Sequence, residues 1–126
     1  MTAKFALLAG SLLGALGVGL GAFGAHALKP MLVATGRFDT FETAVRYQFY
    51  HALALLAIGL LINQLPVIEK GLGWAGWAFL IGVIIFSGSL YTICFAGIKA
   101  FGAVAPIGGT SLIIGWLILA YQVTKA

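Results

Sequence analysis

FALLAGSLLGALGVGLGAFGAHAL, residues Phe5–Leu28, runs between Lys4 and Lys29 without a formal charge. A bilayer core about 30 Å thick is crossed by roughly 20 apolar helical residues, so this stretch is long enough to span it. Three more runs follow the same rule: Tyr47–Ile68, Gly71–Ile98 and Ala100–Thr124, fenced by Arg46, Glu69, Lys70, Lys99 and Lys125. Little chain is left over. The expected fold is an all-α integral membrane protein, a four-transmembrane-helix antiparallel bundle in a single membrane domain, residues 1–126, since short connections make neighbours antiparallel.

Composition agrees with the spans. Of 126 residues 62% are hydrophobic and 8% charged, whereas soluble domains carry about 25% charged residues. A soluble catalytic domain, a disulfide scaffold and a nucleic-acid module all need residues that the spans have consumed. The seven basic residues are scattered singly, which suits juxtamembrane Lys and Arg and gives no clustered patch for phosphates, so no nucleic-acid partner is expected. Lys4, the apolar run and Ala25-His26-Ala27 imitate a cleavable targeting peptide. The run is longer than an h-region of about 7 to 15 residues, so a retained first helix is expected.

Boundaries follow from the punctuation. The first helix is expected over about 4–28, ending at Lys29-Pro30, with an interfacial connection over 29–39. Asp39 and Glu42 have capping-box spacing, which starts the second helix near Thr40 and carries it to about Leu65. Pro66, Glu69, Lys70, Gly71 and Gly73 read as a turn, leaving the third helix at about 74–96 with Trp74 and Trp77 as interfacial anchors. The fourth, about 106–124, either begins at Pro106 or kinks there.

Gly10, Gly14, Gly17, Gly21 and Gly24 recur at alternating spacings of four and three, drawing one small-xxx-small stripe along the first helix. In lipid a bare stripe lets backbones approach closely and must face protein, either within the chain or on another copy. Polar residues gather elsewhere. Glu42, Arg46 and Tyr50 form one i+4 line on the second helix, and Thr43, Tyr47 and His51 form another. On the third helix Ser87, Tyr91 and Cys94 can offer partners to that surface. With the helix start at Gly108 and Gly109, a polar pocket bounded by His26, Glu42, Arg46, Tyr47, Tyr50, His51, Tyr91 and Cys94 is conceivable, fit for an anionic headgroup, a carboxylate or a quinone-like ring. The plainer reading is a glycine-packed helix pair with Arg46 snorkelling to phosphates.

Two blocks, Gly21-Ala22-Phe23-Gly24-Ala25-His26-Ala27-Leu28 and Phe41-Glu42-Thr43-Ala44-Val45-Arg46-Tyr47-Gln48-Phe49-Tyr50-His51-Ala52-Leu53, resemble the family that includes transmembrane protein 256, a domain of unknown function. Phe86-Ser87-Gly88-Ser89-Leu90-Tyr91, Pro106-Ile107-Gly108-Gly109 and Gly115-Trp116 extend the resemblance over nearly the whole chain. It implies a small multi-pass protein of bacterial inner membranes and eukaryotic membranes, and carries over no catalytic residue.

Three function classes stay open. The first is a structural or interaction protein that packs with itself, with lipid or with another membrane protein; it needs only the glycine stripe. The second is small-molecule, lipid-headgroup or ion binding or transport as an oligomer. The third is haem or metal ligation by His26 and His51, expected at similar depth on antiparallel helices; the plain alternative is one interhelical hydrogen bond for each histidine. No nucleophile, carboxylate pair or catalytic motif accompanies them, so neither an enzyme nor a bound cofactor is expected. Charge leaves orientation open, with Lys4, Lys70 and Lys125 on one side facing Lys29, Arg37, Arg46 and Lys99 on the other.

Overall fold

In the computed structural model, which describes residues 1–126, α1 (Ala3–Ala25), α3 (Phe38–Gln64), α4 (Glu69–Ala96) and α5 (Ala105–Val123) are each long and apolar enough to cross a membrane. The six-residue α2 (Lys29–Ala34) lies between α1 and α3, and 3-10 turns at Pro66–Ile68 and Lys99–Ala103 precede α4 and α5. The fold class read from the four charge-free runs is the observed one.

Several boundaries differ from the sequence reading. The connection over 29–39 is not irregular: Pro30 opens α2, where its missing N–H costs nothing. Gly36, at φ 68°, turns the chain out of α2 in a conformation that suits glycine. α3 then starts at Phe38 with Arg37 as its N-cap, so Asp39 lies inside the first turn and the capping box does not form. The Thr43 hydroxyl donates instead to the Asp39 carbonyl at 2.9 Å. The expected turn over Pro66–Gly73 is only the 3-10 turn, because α4 begins at Glu69. Gly71 and Gly73 are helical because other groups need their space: the Gln122 side chain lies where a Cβ of Gly71 would stand, and Met1 packs on Gly73. Pro106 begins α5 rather than kinking it.

The helices pack as an open row, α1 on α3, α3 on α4 and α4 on α5, with no packed interface between α1 and α5. Glycine sets both outer seams. A Cβ at Gly10 would stand 2.8 Å from the Ala52 carbonyl oxygen, one at Gly17 would stand 2.8 Å from the Phe49 ring, and one at Gly24 would collide with Phe41. Gly21 meets only Val45, at an ordinary 3.5 Å, and Gly14 meets nothing within 4 Å. At 100° per residue Gly10, Gly17 and Gly24 stay within about 40° of one line, whereas Gly14 falls to one side of it. The glycine stripe therefore serves α3 of the same chain, and Gly14 is not part of the seam.

At the other seam a Cβ on Gly108 would collide with the Phe86 backbone, and one on Gly82 would stand 2.7 Å from Leu112. This contact fixes depth. Gly108 is three residues into α5 but level with Phe86, ten residues before the end of α4. At 1.5 Å per residue α5 therefore begins about 10 Å deeper in the membrane than α4 ends. The turn at Lys99–Ala103 fills the difference.

Candidate functional site

Several polar residues of the spans tie one helix to another. Gln48, buried on α3, donates from Nε2 to the Leu13 carbonyl of α1 at 2.9 Å and accepts at Oε1 from the Tyr91 hydroxyl of α4 at 2.6 Å. One amide thus joins three helices. Ser87 donates to the Ala44 carbonyl and Ser111 to the Ala78 carbonyl, each at 2.8 Å. With water absent from the bilayer core, such groups must find partners inside the protein. No buried side-chain nitrogen or oxygen lacks one.

His51 is 4% exposed and set among Tyr47, Phe79 and Trp116. Its Nδ1 lies 2.7 Å from the Tyr47 carbonyl, which can only accept, so Nδ1 carries the proton. Nε2 is then the bare nitrogen and accepts from the Trp116 indole N–H at 3.2 Å. The ring is a neutral imidazole with both nitrogens used. Its position, thirteen residues into α3 and level with Phe79 and Trp116, places it about 15 to 20 Å below the α2 side, near the bilayer midplane.

His26 is elsewhere: it is the exposed C-cap of α1. The expectation that the two histidines face each other at one depth is corrected. α1 ends at Ala25, before His26, whereas His51 lies thirteen residues into α3. The haem or metal reading loses its paired ligands, and no group of three or more His, Cys, Asp or Glu side chains gathers in the chain.

The other candidates disperse as well, so the single polar pocket of the sequence reading does not form. Glu42 and Arg46 pair at 3.5 Å along α3, but the Arg46 side chain is 63% exposed and points away from the core. Tyr50 is also exposed. Cys94 is buried with Leu32 and Phe41, where α2 caps the α3–α4 pair, and its thiol lies 3.7 Å from the Arg37 carbonyl. Gly108 belongs to the α4–α5 seam. Tyr91 joins Gln48, which the sequence reading missed as a site residue. The available signal was an amide in an apolar run flanked at ±4 by Ala44 and Ala52, small neighbours that mark an inward face.

Tyr47, His51 and Gly109 do come together. With Phe86, Thr110 and Trp116 they line a groove of about 380 Å³ between α3 and α5, floored by α4. A second groove, about 280 Å³, lies between α1 and α4 over Gln48, Ser87 and Tyr91.

An open row of four spanning helices, tied by buried amide, hydroxyl and imidazole groups, defines a small multi-pass integral membrane protein. Within that class the chain belongs to the family described as protein of unknown function (DUF423), whose pattern matches residues 20–109. The resemblance to the transmembrane protein 256 family leads to this same family. A UPF0382 membrane protein of Staphylococcus epidermidis is 40% identical over 122 residues, 97% of each chain. One of Staphylococcus saprophyticus is 41% identical over 116 residues, 92% of this chain and 93% of its own. UPF0382 membrane protein YwdK of Bacillus subtilis is 36% identical over 122 residues, 97% of this chain and 98% of its own. No solved structure matches the chain.

Proposed function

We propose that the protein is a non-catalytic interaction protein of the membrane, associating laterally through α1 with a second copy or with another membrane protein. The carrying observation is the free side of α1. Its span has the smallest buried share of the four, 17%. With the glycine stripe consumed by α3, a second small-residue line remains: Ser11, Ala15 and Ala22 are exposed, and Gly19 beside them has nothing within 4 Å of its Cβ position. Small residues in that register let another helix approach closely, so that dispersion contacts drive association. The internal pairing of buried polar groups supports the same reading, since none is held back for chemistry.

Disulfide trapping tests it. In a Cys94→Ser background, Ser11→Cys and Ala15→Cys are oxidised in native membranes. A product of twice the chain mass identifies self-association, and a heavier discrete adduct identifies a partner. A monomer at both positions, with an exposed control such as Leu8→Cys equally silent, overturns the proposal.

A further inference from the structure

The groove between α3 and α5 has the features of a ligand site, and it is independent of the α1 surface. Its walls are aromatic at two depths: the Tyr47 and Phe86 rings lie 4.7 Å apart, and deeper along α5 Trp116 packs 6.1 Å from His51, all by ring centroids. Gly109 and Thr110 keep the α5 wall thin. The groove runs along α5 from Pro106 to Trp116, about 15 Å at 1.5 Å per residue, which is half of a 30 Å hydrocarbon core. It therefore extends from just inside the hydrocarbon boundary to the midplane, and its open side faces lipid.

These features select a chemistry. No Asp, Glu, Lys or Arg lines the groove, and a charged ligand at that depth would go uncompensated. The volume, about 380 Å³, is well above the 150 Å³ or so of an engineered cavity that binds benzene, and suits a substituted or fused ring. Stacked and tilted aromatic walls favour a flat ring over a flexible chain. Tyr47 is 40% exposed, and its hydroxyl takes no part in the bonds that tie the helices. A phenolic O–H in hydrocarbon gains most from an acceptor. Trp116, whose single N–H is spent on His51, offers the inner end only its ring face. The Thr110 hydroxyl donates to the Pro106 carbonyl at 2.8 Å and keeps lone pairs for a further contact.

We propose that this groove binds an uncharged, carbonyl-bearing ring lipid of the quinone class, its ring between the Tyr47–Phe86 pair and Trp116 and its alkyl or prenyl tail in the bilayer. The Tyr47 hydroxyl donates to a ring carbonyl, and the tail leaves through the lateral opening.

The test uses the full chain in phospholipid nanodiscs, with Trp74→Phe and Trp77→Phe leaving Trp116 as the single tryptophan. The probe is a decyl-substituted benzoquinone, whose ring quenches indole emission on contact. Saturable quenching is expected. Gly109→Leu should weaken it at least tenfold: a Cβ there stands 3.6 Å from the Phe86 ring, an ordinary contact, so the added side chain fills the groove without breaking the seam. Tyr47→Phe should weaken it about fivefold, as for one hydrogen bond. Should Gly109→Leu unfold by circular dichroism, Thr110→Leu serves as the filling variant. Nanodiscs containing brominated phospholipid report acyl chains in the same place, and the quinone should relieve that quenching. Linear quenching unchanged in the filling variants, or bromolipid quenching that the quinone does not relieve, shows a groove merely bathed in acyl chains and overturns the proposal.

Discussion

Gln48 illustrates how a single side chain governs packing when water is absent. Its amide uses one donor toward α1 and one acceptor toward α4, so its replacement leaves the Tyr91 hydroxyl without an acceptor in an apolar seam. Interhelical hydrogen bonds in membranes are worth about 0.6 kcal/mol on average and up to about 1.7. Gln48→Leu, which breaks two, should cost about 1 to 3 kcal/mol in a reversible SDS unfolding titration. Tyr91→Phe should cost about 1 kcal/mol. The double variant should cost less than the sum of the two, because the second change removes a bond already lost. Strict additivity would show that the two groups do not act as a pair. The amide left a signal in the sequence, a polar residue between the small neighbours Ala44 and Ala52, but it was not among the expected site residues. The His51–Trp116 bond left no signal, since 65 residues separate the two and only the α3–α4–α5 arrangement brings them together. His26 misled for the opposite reason: proximity to a span end suggested a depth, but α1 stops one residue before it.

At the scale of elements, glycine behaves differently here from glycine in water. Gly71 and Gly73 read as part of a turn when judged by helix propensity, yet in α4 each faces a side chain or terminal group that a methyl would displace. The Asp39–Glu42 spacing likewise suggested a helix start two residues too late, because Gly36 and Arg37 already set it. The four spans themselves were legible, since charge-free length is what the bilayer demands. On α1 the glycines can be separated by experiment. Gly24→Leu drives a side chain into the buried Phe41 ring, and Gly10→Leu drives one into the Ala52 carbonyl. Overpacking of this kind costs about 1 to 3 kcal/mol, so both should lower the unfolding midpoint. Gly14→Leu, with nothing within 4 Å, should leave the midpoint unchanged or raise it slightly through better helix propensity. Equal losses at Gly14 and Gly24 would contradict the α1–α3 seam.

For the whole molecule, four crossings return the chain to the side on which it began. Cysteines introduced at Thr2 and Lys125, in a Cys94→Ser background, should react with a membrane-impermeant maleimide from the same face, and one at Arg37 only from the other. The open row also predicts unequal stability. α5 is held through its single seam with α4, by the His51–Trp116 bond and by the Ser111 hydroxyl. Ser111→Ala together with Trp116→Phe should therefore speed hydrogen exchange in α5 by about tenfold while leaving α3 unchanged.

The recessed start of α5 gives the molecule an uneven hydrophobic height. α4, with 28 residues, is about 42 Å long, and α5, with 19, about 28 Å. α5 matches a hydrocarbon core of about 30 Å, and it is α4 that overshoots it. The end of α4 therefore stands among the headgroups, and the Lys99–Ala103 turn, rather than distorted lipid, fills the step beside it.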